Sequence, residues 1–231
     1  MTQPASQSWW QRLSTSMKSL IIAVPAVLII AALAISMSLA SRPVPVPVPQ
    51  TAAGVPETVA ENSHVVDEVG DDAPTLVEFL DFECEACGAL YPYIEDVREH
   101  YDGKINYVVR YFPLGGHFNS MNAAVAVEAA AQQGKFEEMF HEMLQSQADW
   151  GEKQTSEAPR FRGYAEKLGL DMAAYDAAIA DPATEARVQE DLDAGTALGV
   201  TGTPTFFLDG KQLSLTTPDD LPDAIDASLA K

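Results

Sequence analysis

The hydrophobic residues are unevenly distributed, and the longest apolar stretch lies near the N-terminus. Residues 19–41 form 23 positions without a charged side chain. A helix of this length spans ~35 Å at ~1.5 Å per residue, enough to cross the ~30 Å hydrocarbon core of a bilayer. Arg12 and Lys18 precede the stretch, which predicts a cytoplasmic N-terminus over residues 1–18. The pattern predicts a transmembrane signal anchor; a signal peptide cleaved at about Ala40 and a buried core helix are the alternatives.

Proline alternates with valine over residues 43–49, directly after the apolar stretch. Such a segment cannot form a helix and favours an extended polyproline II conformation of ~3.1 Å per residue. We therefore predict a proline-rich stalk over residues 42–62, with a proline-rich ligand for a partner as the alternative. The stalk leads to a domain over residues 63–231, which is long enough to bury roughly 70% of its surface.

Two segments rich in β-branched and aromatic residues, Thr75–Phe82 and Ile105–Phe112, predict strands. Between them, apolar residues recur at helical spacing from Cys84 to Tyr101. A strand, a helix and a second strand within about 40 residues form a βαβ unit, whose two strands pair in parallel.

The following region contains no convincing strand and several segments of helical pattern separated by glycine and proline. The predicted helices are Asn119–Gln133, Phe136–Gln147, Arg160–Leu168, Met172–Ile179 and Thr184–Leu198.

A hairpin comes next, with strands Thr205–Leu208 and Gln212–Leu215 joined by a turn at Asp209-Gly210. A closing helix is predicted over Pro218–Leu229. The order of elements predicts an α/β fold: one mixed sheet with helices on both faces and a helical insertion at about residues 114–198.

Composition and charge narrow the possible functions. The chain has 34 acidic and 14 basic side chains, for a net charge of −20, and every acidic residue lies after residue 42. Such a domain repels phosphate backbones, which argues against nucleic-acid binding. A hydrophobic content of 47% excludes wholesale disorder, and a total of two cysteines excludes a scaffold of several disulfides.

The two cysteines, Cys84 and Cys87, lie three residues apart, after a predicted strand and at the start of a predicted helix. A helix N-terminus carries partial positive charge and free N–H groups, which favour a thiolate over a thiol. We predict that Cys84 is an exposed nucleophile and that Cys87, one turn inside the helix, is the resolving thiol. Together they would form a redox-active disulfide that exchanges with another protein.

Other interpretations of the cysteine pair are weaker. A zinc site needs four ligands, and the histidines show no matching spacing at positions His64, His100, His117 and His141. A structural disulfide closing so short a loop restrains little chain entropy, and a metal carrier lacks nearby methionine or histidine ligands. We therefore expect no metal and no cofactor. His117 follows two glycines, which indicates either a loop residue at a helix entry or a contact in a substrate groove.

The segment Val77–Cys87 resembles the active-site segment of DsbA-like proteins of the thioredoxin superfamily, and Val200–Gly210 resembles their cis-proline loop. The resemblance covers about residues 65–230. It implies a thioredoxin fold with an inserted helical domain and thiol–disulfide oxidoreductase activity. It also implies that Thr203–Pro204 is a cis peptide near the cysteines, whose backbone binds an extended substrate.

Glu78 lies six residues before Cys84, where related proteins carry a buried acid. The resemblance implies that its carboxyl has a raised pKa and moves a proton to or from Cys87. The alternative is a solvent-facing position, because Glu78 lies on the opposite strand face from Val77 and Phe79.

The dipeptide Glu85-Ala86 departs from the Pro-His pair of the best-known DsbA proteins. Together with Glu85, Asp81 and Glu83 add negative charge near Cys84, which opposes a thiolate. We therefore predict a reduction potential more reducing than that of the Pro-His relatives.

The combined prediction is a membrane-tethered, monomeric oxidoreductase outside the cytoplasm that forms disulfides in exported proteins. Its partners would be folding proteins with cysteines and a quinone-linked membrane protein that reoxidises it, as in relatives. Disulfides form and persist outside the cytoplasm, which favours the oxidising direction. A reductase or isomerase running in the reducing direction is one alternative. A peptide-binding holdase without turnover is the other.

Overall fold

A computed structural model of the protein describes residues 57–231. The predicted cytoplasmic N-terminus, the signal anchor and cleavage site, and the stalk up to residue 56 lie outside the described residues. Across residues 57–231, no helix combines the length and the apolar character that crossing a membrane requires.

Five strands and seven α-helices follow one another along the described part of the chain. The strands are β1 (His64–Asp67), β2 (Thr75–Leu80), β3 (Asn106–Tyr111), β4 (Thr205–Leu208) and β5 (Lys211–Gln212). The helices are α1 (Glu85–His100), α2 (Ser120–Ala131), α3 (Phe136–Gln145), α4 (Ala158–Lys167), α5 (Met172–Ala180), α6 (Pro182–Ala197) and α7 (Asp220–Leu229). A short 3₁₀ segment, Gln147–Asp149, lies between α3 and α4.

The five strands form one mixed sheet in the order β1-β3-β2-β4-β5. Strands β2 and β3 pair in parallel, so the predicted βαβ unit is confirmed. The other three pairings are antiparallel. The helical block α2–α6 separates β3 from β4 in sequence, and the predicted thioredoxin fold with an inserted helical region is confirmed.

The two faces of β2 are both buried, as a central strand covered by helices requires. Leu76 and Leu80 belong to the larger hydrophobic core, which also contains the buried residues of α1, α2, α3 and α7. Val77 and Phe79 point to the other face, in a smaller core to which the end of α6 also contributes. The cysteines lie in the larger core, together with buried residues of α1 and α7.

The hairpin turn at Asp209-Gly210 is confirmed: both residues have positive φ, 49° and 77°, as a tight hairpin turn demands. Strand β5 is shorter than predicted. It ends at Gln212, because Thr216 and Thr217 donate backbone hydrogen bonds to the Asp220 carboxylate and turn the chain toward α7.

Residues 57–62, which the sequence assigns to the end of the stalk, contact the domain. The Arg110 guanidinium donates hydrogen bonds to the backbone oxygens of Glu57 and Thr58, at 3.1 and 3.2 Å. Ala60 is buried. The segment from Glu57 onward therefore packs as part of the domain.

Candidate active site

Cys84 and Cys87 lie at the N-terminal end of α1, after the loop that follows β2. Cys84 caps the helix with an extended backbone (φ −65°, ψ 120°), and Cys87 lies inside its first turn. Both are free thiols. Cys84 is more buried than predicted: it keeps 7% of its surface exposed, and Cys87 keeps 2%. The reason is the loop before β4, because Cys84 Sγ lies 3.3 Å from the carbonyl oxygen of Thr203.

The environment of Cys84 favours the thiolate and lowers the pKa of this thiol to about 5. The largest cause is a hydrogen bond with the Cys87 side chain, and burial acts in the opposite direction. The Thr203 side chain and the backbone N–H groups of Cys87 and Ala86 also lower the pKa. These N–H groups are the free donors of the helix N-terminus, to which the sequence pattern ascribes the activation of Cys84.

Cys87 has the opposite shift. Burial raises the pKa of its thiol first, the hydrogen bond with Cys84 raises it further, and the negative charges of Glu78 and Cys84 add to the effect. At neutral pH the pair therefore consists of a Cys84 thiolate and a protonated Cys87 thiol. Such an asymmetric pair can attack through one sulfur and hold the other in reserve.

Glu78 lies beneath this pair, on the face of β2 that belongs to the larger core. It is 4% exposed, so the alternative of a solvent-facing position is wrong. Burial raises the pKa of Glu78 to about 7, although a hydrogen bond from the Tyr107 hydroxyl lowers it. A carboxyl with a pKa near neutrality can take up and release a proton at the pH of most cells, which fits the predicted proton-transfer role.

The Thr203–Pro204 peptide bond is cis, as the resemblance implies. Pro204 also borders an apolar groove of about 630 Å³ between α1, the hairpin and the start of α7. Its apolar lining comes mainly from Leu90, Tyr93, Pro204, Phe206, Leu213 and Leu215. The groove begins at Pro204, directly after Thr203, whose carbonyl oxygen lies 3.3 Å from Cys84 Sγ.

Asp81 is a buried hydrogen-bond acceptor beside the cysteines, and no sequence pattern predicts its partners. Its Oδ1 accepts from the backbone N–H of Glu83 at 2.9 Å. Its Oδ2 accepts from the backbone N–H of Leu114 (3.1 Å), His117 Nδ1 (2.7 Å) and Ser120 Oγ (2.5 Å). Asp81 thereby joins the loop before α1 to the loop before α2.

Gln147 is a second residue that sequence reasoning missed. Its Nε2 donates to the backbone oxygens of Phe82 at 2.7 Å and Cys84 at 2.8 Å. Gly88 makes room for it, because a Cβ at position 88 would lie 1.9 Å from Gln147 Oε1. Gln147 lies in the 3₁₀ segment, 63 positions from Cys84 in sequence, and no local spacing points to it.

One group of side chains has the composition of a metal site. Donor atoms of Glu85, His117 and Glu152 lie within 4.8 Å of one another. His117 already binds the Asp81 carboxylate through Nδ1, and its Nε2 lies 3.8 Å from Glu152. Burial lowers the pKa of His117, but the hydrogen bond and charge of Asp81, with the charges of Glu152 and Cys84, raise it overall. A protonated imidazole therefore accounts for the geometry of this group.

Comparison with known proteins shows which family this chain belongs to. The family model described as thioredoxin matches residues 69–227, which is more than half of the chain. The chain belongs to the thioredoxin family. The match includes Cys84, Cys87 and the cis-proline loop, so the residues of the candidate site lie within the family region.

Solved structures show the same fold. A thioredoxin-like oxidoreductase from Silicibacter pomeroyi is 25% identical with a TM-score of 0.61, over 74% of this chain and 94% of that protein. Wolbachia pipientis alpha-DsbA1 is 20% identical with a TM-score of 0.64, over 74% of this chain and 93% of that protein. The architecture is therefore that of the DsbA-like thiol–disulfide oxidoreductases, with the helical block inserted between β3 and β4.

The curated relatives have a different name. A Na(+)/H(+) antiporter, NhaA 3 of Salinispora tropica, is 39% identical over 143 residues, which is 61% of this chain. The chain spans about a fifth of the length of that antiporter, 21%. The antiport activity in the name therefore refers to those longer proteins and is not assigned to this chain.

Proposed function

We propose that the protein is a thiol–disulfide oxidoreductase that acts outside the cytoplasm and forms disulfides in exported proteins. One observation carries the proposal: the Cys84 thiol has its pKa lowered to about 5, and the adjacent Cys87 thiol has its pKa raised. A purely structural dithiol needs no such difference between its two sulfurs.

The reaction starts from the Cys84–Cys87 disulfide. A client thiolate attacks Cys84 Sγ, and a new S–S bond forms as the bond between Cys84 and Cys87 breaks. Cys87 leaves with the electron pair and takes up a proton. A second client thiolate then attacks the client sulfur of the mixed disulfide and releases the Cys84 thiolate. The client dithiol is oxidised to a disulfide, and the enzyme is left as the dithiol.

Glu78 is the proposed proton donor and acceptor for Cys87. Its negative charge contributes to the raised pKa of Cys87, which supports a position close to that sulfur. With a pKa of about 7, the carboxyl is partly protonated at neutral pH and can supply the proton when Cys87 leaves.

The direction of electron flow follows from the stability of the Cys84 thiolate. A stabilised thiolate stabilises the reduced enzyme, which makes the disulfide form a stronger oxidant. The pKa of about 5 for Cys84 therefore supports a disulfide donor over a reductase or isomerase. A potential more reducing than that of Pro-His relatives, inferred from the nearby acids, stays a prediction.

The apolar groove beside Pro204 is the proposed binding surface for the client polypeptide. Extended backbone beside the Thr203 carbonyl would bring a client cysteine to Cys84 Sγ, which lies 3.3 Å from that oxygen. A quinone-linked membrane protein is the proposed oxidant that regenerates the disulfide. We further propose that the protein is a monomer and that its N-terminal anchor keeps it at the membrane.

A refolding assay tests the direction. A reduced client with several cysteines is mixed with the purified full chain, started in the disulfide form and, separately, in the dithiol form. A donor restores client activity only from the disulfide form, with one client disulfide formed per enzyme disulfide consumed. If only the dithiol form restores a client whose disulfides are wrongly paired, the protein acts in the reducing direction instead.

A trapping experiment separates catalysis from peptide binding. Cys87→Ser should accumulate mixed disulfides between Cys84 and client proteins, because the resolving thiol is absent. Cys84→Ser is the matched control and should accumulate none. A holdase would bind clients equally well in both variants and form no covalent adduct in either.

The cellular location is tested in two steps. In intact cells, a maleimide reagent that cannot cross membranes should label Cys84 of the reduced protein if the domain lies outside the cytoplasm. Carbonate washing of membranes then distinguishes an anchor from a cleaved signal peptide. Labelling only after cell lysis would contradict the extracytoplasmic proposal.

A further inference from the structure

The surroundings of Cys84 are strongly acidic, yet its thiolate is favoured. Asp81 and Glu83 are buried just before it in the chain, at 1% and 0% exposure, and the exposed Glu85 follows it directly. Glu152 comes from the segment after the 3₁₀ turn. These four carboxylates lie near the N-terminus of α1, and their negative charges destabilise a thiolate at Cys84. A nearby positive charge would offset them.

His117 is the cation that meets these carboxylates. Its Nδ1 lies 2.7 Å from Asp81 Oδ2, and its Nε2 lies 3.8 Å from Glu152 Oε1. A ring nitrogen of His117 also lies within 4.8 Å of a carboxylate oxygen of Glu85, the residue next to Cys84. The imidazole therefore reaches the Cys-x-x-Cys dipeptide from the loop between β3 and α2.

The position of His117 is fixed by its partner. Asp81 is buried, and it also binds the backbone N–H of Leu114 and the Ser120 hydroxyl, one on each side of His117 in the chain. The backbone oxygen of Asp81 accepts from the N–H of Cys84 at 3.2 Å. One residue thus holds both the imidazole and the start of the redox loop, residues 81–84 between β2 and α1, so the distance between them has little freedom.

We propose that His117, held by Asp81, is a positioning residue that stabilises the Cys84 thiolate through its positive charge. It supplies from another loop the imidazole that Pro-His relatives carry inside the Cys-x-x-Cys dipeptide. The inference rests on the proposed oxidoreductase function and deepens it, because it names the group that tunes the nucleophile.

The negative charges around His117 determine how its protonation affects Cys84. Asp81 and Glu83 face it from the loop after β2, Glu85 and Cys84 from the start of α1, and Glu152 from the loop after the 3₁₀ segment. Burial raises the pKa of Glu83, and the positive charge of His117 opposes that shift, in accord with this arrangement. Loss of the proton, or of the ring, leaves the carboxylates uncompensated beside Cys84.

The first test compares two histidine variants of the full chain. His117→Gln keeps a donor for Asp81 but removes the charge, and we expect the pKa of Cys84 to rise by roughly 0.5–1 unit. Alkylation by iodoacetamide at pH 5 should then be slower by roughly threefold, with equal rates at pH 8. His100→Gln is the matched control, because His100 is exposed at the far end of α1 and should leave the profile unchanged.

Equilibration with glutathione gives a second readout from the same proteins. The constant for oxidation of His117→Gln should change by roughly three- to tenfold toward the disulfide, which makes the enzyme a weaker oxidant. Thermal unfolding of the same variants shows whether both are folded. A merely structural histidine would lower the unfolding temperature without moving the thiol titration.

The third test uses the reciprocity of linked titrations. If the Cys84 thiolate and the His117 cation stabilise each other, removing one must shift the other by the same amount. The imidazole signal of His117, followed by NMR against pH, should therefore titrate roughly 0.5–1 unit lower in Cys84→Ser than in the reduced wild type. The signal of His100 should titrate identically in both proteins.

Three results would overturn the inference. One is a Cys84 titration in His117→Gln that coincides with that of the wild type. Another is a His117 titration that ignores the state of Cys84. The last is a dependence of these shifts on added Zn²⁺ with loss of them in EDTA, which would assign the group to a metal. A wild-type protein that never exchanges with glutathione contradicts the proposed function instead.

Discussion

The Cys87 thiol stabilises the Cys84 thiolate because a hydrogen bond to a charged acceptor is strong where little water competes. The burial of the two cysteines, at 2% and 7% exposure, provides that environment. The same burial disfavours a second negative charge, so Cys87 stays protonated. Each residue therefore sets the protonation state of the other.

This coupling predicts the response of Cys84 to changes at position 87. Cys87→Ala removes the largest cause of the lowered pKa, and we expect the midpoint of Cys84 to rise from about 5 by roughly 1–2 units. Cys87→Ser keeps a donor and should shift it less. Thiolate absorbance at 240 nm against pH measures both. An unchanged midpoint in Cys87→Ala would show that the hydrogen bond with Cys87 does not activate Cys84.

Glu78 predicts a pH dependence of stability. The folded state raises its pKa from 4.5 to about 7, so the unfolded chain loses this proton first as the pH rises. Glu78 therefore lowers stability progressively between pH 4.5 and about 7, with a constant cost above. Glu78→Gln keeps an acceptor for Tyr107. We expect it to gain roughly 2–4 kcal/mol over the wild type between pH 4.5 and pH 8.

Urea unfolding of the two reduced proteins at both pH values measures that gain. The comparison within each pH cancels the many other acidic groups. A difference between Glu78→Gln and wild type that is the same at pH 4.5 and pH 8 would contradict a raised pKa for Glu78.

Sequence patterns identified the parts of the site whose chemistry is local. Cys84 and Cys87 share one helix turn, and Thr203–Pro204 directly precedes a strand, so short motifs reveal them. The geometry of His117 and Gln147 was beyond such patterns. Each reaches the redox loop across the fold through a single hydrogen-bonding side chain, and a lone histidine or glutamine in a loop is common in proteins of every function.

Among the elements, the short 3₁₀ segment supports α1 through Gln147. The first turn of α1 contains Gly88, and the absence of a side chain at this glycine leaves space for the Gln147 amide. The two hydrogen bonds of this amide hold the backbone carbonyls of Phe82 and Cys84, on both sides of the redox loop. The contact between Gln147 and α1 therefore explains why a glycine occupies position 88, although glycine has a low helix propensity.

Two matched glycine substitutions test this contact. Gly88→Ala should displace Gln147 and leave its buried amide unpaired, and we expect a loss of roughly 1–3 kcal/mol in the free energy of unfolding. Gly163→Ala is the control, because a Cβ there meets no atom within 4 Å and α4 is exposed at that position. It should stabilise by roughly 0.5–1 kcal/mol through helix propensity. Equal effects of the two changes would contradict the contact.

The boundaries of the elements show where local patterns mislead. Proline at positions 159 and 182 interrupts the helical pattern of the sequence, but in the structure both residues belong to the first turns of α4 and α6. Proline fits there because the first turn has no use for its missing N–H. The pattern does not predict strand β1 at all, because its four residues, His64–Asp67, are mostly half-exposed and pair only with β3.

At the scale of the whole molecule, a buried ion pair joins the sheet to the helical block. Arg110 on β3 and Asp191 on α6 are 1% and 0% exposed, with Arg110 Nη2 2.6 Å from Asp191 Oδ1. Asp191 also forms an ion pair with Arg187, whose Nη1 lies 3.0 Å from Oδ2, and it accepts a hydrogen bond from the backbone N–H of Tyr111. The helical block is thereby attached to the sheet through charged groups that water does not reach.

Removing one partner of this pair should be costly because the other is left charged and buried. We expect Asp191→Ala to lower the free energy of unfolding by roughly 3–5 kcal/mol. Asp176→Ala breaks the exposed pair with Arg162 and should leave stability unchanged within error. Urea unfolding at neutral pH compares them. A small effect of Asp191→Ala would mean that the pair holds position without adding stability.

The hydrogen bonds from Arg110 to the carbonyls of Glu57 and Thr58 are the first contacts between the described chain and the sheet. Tension on the preceding chain reaches this guanidinium before it reaches β1, and Arg110 passes it to α6 through Asp191. The force therefore runs along the side of the sheet that lacks the cysteines. Under the proposed membrane anchor, a pull from the N-terminal side would load the face of the sheet opposite the sulfurs and leave their chemistry undisturbed while the Arg110 contacts hold.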